Sequence, residues 1–405
     1  MSTATATPPV PPHVRPEQVI DIDIYTDERV LAGPHHAYKV LQDASPDIFY
    51  TPRNGGHWIV TRFDKMGQIL RDPEHFSSRE LHIPKLHSPV QFIPLSLDPP
   101  DHAKYRAVLL RHFDRKAVAS RAPKLQEWAD RLIDRVIAKG RCNFAEALGA
   151  TYPVSIFMEV MGMPLERLDE FRDIVLEYFS NIPSERRLQL QEKIIGAMMG
   201  LREERLKEPR ADLISGLVND ERVDGRPLSD DEFRSMGYIL FLGGLDTVAN
   251  ALTFAFWNLA QRPDLQQRLV AEPDKMADYV EESLRCFGVV HQTRVVKKDI
   301  EIDGAHFHEG DMVMCALPAA GLDERKNPDP ERFDIDRKGR QHVAFSTGAH
   351  TCIGNLLARA EMAAFTTAWL KRVPSFRIQP GGKLVWRGGT VMALLDLPLE
   401  WPVAS

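Results

Sequence analysis

The chain has 405 residues, 43% of them hydrophobic, and a formal net charge of −6. That length buries a large core and can enclose a cofactor, while the acidic balance offers no basic field to nucleic acid or to an anionic membrane. Its four cysteines, Cys142, Cys286, Cys315 and Cys352, are far apart and form no C-x-x-C pair, which argues against a zinc site or disulfide framework and for a reducing, cytoplasmic setting.

Residues 1–16, MSTATATPPVPPHVRP, lack the basic start, apolar stretch and cleavage site of a secretory leader and are expected to be a disordered arm. No linker composition interrupts 17–405, which predicts a single domain. Helical periodicity predicts helices at 35–44, 63–71, 100–112, 121–139, 165–180, 185–207, 229–261, 274–287 and 353–372. Short alternating or β-branched runs predict strands at 57–61, 294–303, 311–316 and 386–398. The fold class is therefore mainly α with small β-sheets. No apolar run approaches the roughly 20 residues needed to cross a bilayer, the nearest being 236–245.

In chain order, the first chemical pair is His102 and Arg106, four apart and so on one helix face. The longest helix opens on a capping-box pattern, Ser229 to Glu232, and carries Gly243-Gly244-Leu245-Asp246-Thr247 in its middle. An interior glycine costs about 1 kcal/mol relative to alanine, so two together mean either a close helix crossing or a local opening. The Thr247 hydroxyl can bond back to the Gly243 carbonyl, bending the helix and leaving room for a water or a diatomic ligand. Glu282 and Arg285 form an i,i+3 pair, which alone is a common solvated arrangement.

Phe345-Ser346-Thr347-Gly348-Ala349-His350-Thr351-Cys352-Ile353-Gly354 places one cysteine in a glycine-bracketed loop before the last helix. Helix N-terminal N–H groups favour a thiolate there, suited to a single metal centre. Gly348 and Gly354 would leave space for a flat cofactor. A lone cysteine is more often a buried structural residue.

The F-x-x-G-x-H-x-C-x-G spacing resembles the haem-binding signature of the cytochrome P-450 family, and the similarity to its bacterial camphor 5-monooxygenase subfamily extends over nearly the whole chain after the arm. The resemblance implies haem b (iron protoporphyrin IX) held between helices 229–261 and 353–372, with Cys352 as the iron ligand. Asp246 would relay protons and Thr247 would help hold dioxygen. Phe345, Gly348, Gly354, Gly243 and Gly244 would border the haem, and His102, Arg106, Arg294 and His350 would meet its propionates. Glu282, Arg285 and Arg332 would form a structural Glu–Arg–Arg network.

By the same resemblance, a camphor-binding tyrosine is replaced by Val90, a pocket threonine by Leu95, a pocket phenylalanine by His82, and an aspartate near a propionate by Gln292. Val90, Leu95, Ile239, Leu242, Val290 and Val391 would line an apolar pocket, with His82 or Thr390 as the polar contact. Loss of a buried donor disfavours camphor, so the expected substrate is a small apolar terpenoid or norisoprenoid, ionone-like, hydroxylated at an unactivated C–H bond with O2. Camphor or another monoterpene is the alternative. A peroxide-driven peroxygenase and a non-enzymatic haem-thiolate sensor are the other classes. Electrons would come from a two-iron two-sulfur ferredoxin and its NADH-dependent reductase, with Arg106, Arg111 and Arg359 as basic contacts. The expected protein is monomeric, without nucleic acid or membrane partners.

Overall fold

The structure is a computed structural model and describes residues 9–88 and 90–403. Helices dominate, and each predicted helical segment is present: Pro34–Ala44, Phe63–Leu70, Asp101–Leu110, Ala122–Asp134, Leu168–Tyr178, Ser184–Lys207, Met276–Cys286 and Asn355–Arg372. The segment predicted at 229–261 is two helices, Asp230–Leu245 and Thr247–Ala260, parted at Asp246. Its start is the capping box read from Ser229 and Glu232. By length and composition the run Asp230–Ala260 would cross a membrane, contrary to the sequence reading, but 72% of its most apolar window is buried inside the fold. It is a core helix.

The helix Thr151–Met161 was not apparent from periodicity. Tyr152, Val154, Ile156, Phe157, Met158, Val160 and Met161 are all buried, so the segment is apolar on every side and carries no stripe.

A five-stranded sheet runs in the order Ile48–Thr51, His57–Val60, Met312–Cys315, Gln292–Val296, Phe76–Ser77. Only the His57–Val60 and Met312–Cys315 neighbours are parallel. The run 294–303 is not one strand. Its second half, Ile300–Ile302, pairs instead with Ala305–Phe307. Likewise 386–398 divides into Val385–Arg387 paired with Ala393–Asp396, and Pro398–Glu400 paired with Arg141–Asn143 and Arg377–Ile378.

Of the expected disordered arm, residues 1–8 lie outside the described residues. Part of the rest is anchored to the fold. Val14 is buried, His13 stacks on His308 with centroids 4.0 Å apart and bonds to Asp311 at 2.9 Å, and Arg15 donates to the Gly304 carbonyl.

Candidate active site

The cysteine loop folds back before helix Asn355–Arg372. The Cys352 N–H donates to the Phe345 carbonyl at 2.8 Å, and Asn355 Nδ2 donates to the Cys352 carbonyl at 2.6 Å. Gly348 has φ +76°, and an added Cβ would stand 3.2 Å from the Leu70 carbonyl. Its glycine therefore lets the loop seat closely on helix Phe63–Leu70, while Gly348 also lines a cavity shared with Arg294 and His350. At Gly354 an added Cβ would meet only the Cys352 sulfur, 3.9 Å away, so this glycine does keep space beside the sulfur.

Cys352 has an exposed surface yet lies deep enough that burial is the largest influence on its thiol and raises its pKa, against the Gly354 N–H, Arg106 and Arg359. The thiolate expected from the helix N-terminus is thus opposed by dehydration. A bound metal cation would restore it, because a coordinating thiol is deprotonated.

On the central helix, the Thr247 hydroxyl donates to the Gly243 carbonyl at 3.0 Å, as the sequence suggested. Asp246, at φ −122°, interrupts the helix there. The two glycines differ. A Cβ on Gly243 would meet no atom within 4 Å, whereas one on Gly244 would lie 2.3 Å from the Phe157 ring. Gly244 is thus a packing glycine against Phe157, while Gly243 faces open space. Asp246 is buried and pairs with Arg387 Nη2 at 2.7 Å. Arg387 was missed because 141 residues separate it from Asp246 and no motif marks it.

Four basic side chains cluster beside the cysteine loop. The His102 and His350 rings lie 4.2 Å apart, and His102 Nε2, His350 Nδ1 and Arg294 Nη2 are buried without partners. The pKa of His350 is pushed down to about 3 by burial and by Arg294, His102 and Arg106. Burial, then Arg106, also lowers that of His102. Arg106 donates to the Thr351 carbonyl. Donors and cations gathered without an acceptor are unfavourable by themselves. A carboxylate placed among them would accept from all, so the residues present fit the propionates of haem b. Ser346 donates to Gln292 Oε1, tying the loop to the strand that carries Arg294.

Among the pocket residues, Val290 and Val391 form an antiparallel bridge, Leu242 is buried, and Val90, Leu95 and Ile239 pack against the core. His82 does not stand free as a substrate contact. Its Nε2 bonds to the Tyr178 hydroxyl at 2.7 Å, which accepts from the Tyr238 hydroxyl at 2.6 Å.

Glu282 and Arg285 have fully buried side chains paired at 2.7 Å. Burial opposes ionisation of Glu282, but its arginines hold the carboxyl below the usual range. Arg332 does not complete this network. Its side chain is 67% exposed, and only its carbonyl meets Arg285. Arg337 and Arg340 bond to Glu282 instead, at 3.1 and 3.3 Å. They lie past Arg332, at which the sequence reading placed the third member of the network.

The sequence model described as "Cytochrome P450" matches residues 143–384. The chain is 32% identical to "Probable cytochrome P450 127A1" of Sinorhizobium fredii, covering 98% of this chain and 97% of that protein. The crystal structure of CYP101J2 superposes with a TM-score of 0.89 at 34% identity, over 98% of this chain and 100% of that one. That of CYP101C1 gives 0.89 at 32% identity, over 97% and 100%. The chain belongs to the cytochrome P450 family and is a haem-b monooxygenase.

Proposed function

We propose that this monooxygenase hydroxylates an unactivated C–H bond of a small apolar terpenoid or norisoprenoid, ionone-like in shape, with camphor and other monoterpenes as the alternative. What supports the reading is the apolar character of the residues assigned to the pocket. Val290 is bridged to Val391, Ile239 and Leu242 share one face of the central helix, and the one histidine assigned to the pocket is already bonded to a tyrosine.

Haem b held by the Cys352 sulfur supplies the iron at which dioxygen is reduced. His102, Arg106, Arg294 and His350 would hold its propionates. Thr247, fixed by its bond to the Gly243 carbonyl, places a hydroxyl at the opened turn, and Asp246 next to it is the acid that passes protons inward. Asp246 is held by Arg387, so its carboxylate keeps one orientation until the proton is needed. The apolar lining excludes water from the C–H bond.

Residues 17–405 form one haem domain, acting in the cytoplasm as a monomer. Its electrons come from a two-iron two-sulfur ferredoxin reduced through an NADH-dependent flavoprotein. Of the three arginines first considered for that contact, Arg359 is held by Glu281 and Arg106 by the Thr351 carbonyl. Arg111 is likewise held, by Glu221, but its side chain is 62% exposed and so the most open of the three.

Two measurements test the reading. A Soret-band titration of the ferric protein should give a strong shift with β-ionone and little with camphor; the reverse result would overturn the substrate assignment. Thr247→Ala should leave NADH consumption in place while product per NADH falls about tenfold or more. Unchanged product yield would remove Thr247 from proton delivery.

A further inference from the structure

Hydrogen bonds leave Cys352 at its N–H and return to it at its carbonyl. The N–H donates to the Phe345 carbonyl at 2.8 Å. One residue earlier, the Ala344 N–H donates to His342 Nδ1 at 3.3 Å, and His342 Nε2 meets Glu281 Oε2, also at 3.3 Å. Glu281, on helix Met276–Cys286, accepts from Arg359 Nε and Nη2. Arg359 Nη1 donates in turn to the Asn355 carbonyl at 3.2 Å and to Asn355 Oδ1 at 3.0 Å. Asn355 Nδ2 then closes the circuit on the Cys352 carbonyl at 2.6 Å.

His342 joins the two halves of this circuit, the loop and the ion pair on the helices. A backbone N–H donates and never accepts, so Nδ1 is the accepting nitrogen and the proton of the neutral ring is on Nε2, facing the carboxylate. Each nitrogen is thereby committed to a different element. The Ala344 N–H has no other acceptor among the described residues. The imidazole is 11% exposed, which leaves little room for water to replace both bonds.

A satisfied histidine bracing its own turn would show the same two contacts, but this turn is already closed without it. The Ser346 N–H donates to the Val343 carbonyl at 2.7 Å. Ser346 stands at φ +61°, a left-handed conformation that costs energy in a residue with a Cβ and persists only where neighbours hold it. Ser346 and Cys352 flank the loop that carries the iron ligand, so relaxation of the turn would pass through Phe345 to the Cys352 N–H.

We propose that His342 is a positioning residue for the iron ligand: Nδ1 fixes Ala344 and with it the Phe345 carbonyl that holds Cys352, and Nε2 ties that turn to the Glu281–Arg359 pair. This rests on Cys352 as the ligand of haem iron. The demand is greatest after reduction, when the iron carries one positive charge fewer and attracts the sulfur less. Residues that orient a metal's ligand from behind change its hold on the metal without touching it.

The test uses the haem-loaded protein, reduced under carbon monoxide, whose long-wavelength Soret band reports sulfur still bound to iron. His342→Asn keeps an acceptor at the Nδ1 position, His342→Gln keeps a donor at the Nε2 position, and His342→Leu keeps neither. The band should be lost about tenfold or more faster in His342→Leu and His342→Gln than in the unmodified protein, and within about twofold of it in His342→Asn. Equal acceleration in all three would mark a side chain that only fills space, and no acceleration in any would mark a bond without consequence; either result overturns the proposal. So does fast loss in His342→Asn with slow loss in His342→Gln, which would move the effect to the Glu281 bond. Should His342→Leu not take up haem, the Asn and Gln variants decide between them. An unmodified protein without the band overturns the Cys352 assignment and this inference together, whereas the band in the unmodified protein leaves that assignment standing whatever the variants do.

Discussion

The cysteine side of the molecule and the roof of the pocket are held together by different chemistry. Beside the cysteine helix, Glu282 gathers Arg285, Arg337 and Arg340, and Glu281 gathers Arg359 and His342. Over the pocket the links are hydroxyl to hydroxyl to imidazole, through Tyr238, Tyr178 and His82, next to an arginine without an acid. In a charge-matched layer, moving one group strands the others. A hydroxyl network can be broken and remade by rotation, each bond being worth about 1 kcal/mol. Under the proposed function, the rigid layer would hold the iron ligand in place and the adaptable one would set substrate choice.

The strongest way to break this comparison is Glu282→Ala. It would leave the fully buried Arg285 and two further guanidinium groups without their carboxylate, and should cost about 3–5 kcal/mol of stability. Chemical unfolding of the haem-bound protein measures it, and a loss under about 1 kcal/mol would show that the layer is not held by charge. Next in size is Gly244→Ala, whose new methyl would overlap the Phe157 ring, at about 1–3 kcal/mol. Gly243→Ala meets no protein atom. It should leave the unfolding midpoint unchanged or raised but lower the amount of haem retained, read as the haem-to-protein absorbance ratio. Equal effects at the two glycines would erase the distinction between their faces.

The same contrast decides how much could be read from the sequence. The cysteine loop, the capped central helix with its Thr247 back-bond, and the Glu282–Arg285 pair were legible because each is local, spelled within ten residues. The third arginine was misplaced at Arg332 because arginines are frequent there and only packing shows that Arg337 and Arg340 turn inward. Arg387 carried no signal at all, since its partner Asp246 is brought to it by the fold. His82 was read as the polar contact of the pocket, but that Tyr178 occupies its Nε2 depends on where a helix 96 residues later comes to rest. Helix Thr151–Met161 escaped for the opposite reason, being too uniformly apolar to show a period.

Smaller effects sharpen the comparison. Tyr238→Phe removes one donor from the roof and should cost about 0.5–1.5 kcal/mol, with β-ionone affinity little changed. A loss as large as that of Glu282→Ala would make the roof as rigid as the cysteine side.

The least costly change concerns pH. Burial alone would raise the Glu281 carboxyl, but His342 and Arg359 hold it down, from 4.5 to about 2. The folded protein therefore binds the Glu281 proton less readily than the unfolded chain does. Its contribution is fully present above the ordinary glutamate value and is lost as pH falls through the interval toward 2. Glu281 is one-third exposed, so solvent screening keeps the effect modest. The melting temperature of Glu281→Gln should lie below that of the unmodified protein by a constant amount above about pH 5, and the gap should close as the pH is lowered from there. A gap that widens toward acid would mean that Glu281 is protonated more easily in the folded state, and that Arg359 is positioned by the Phe345 ring, 4.5 Å beneath it, rather than by charge.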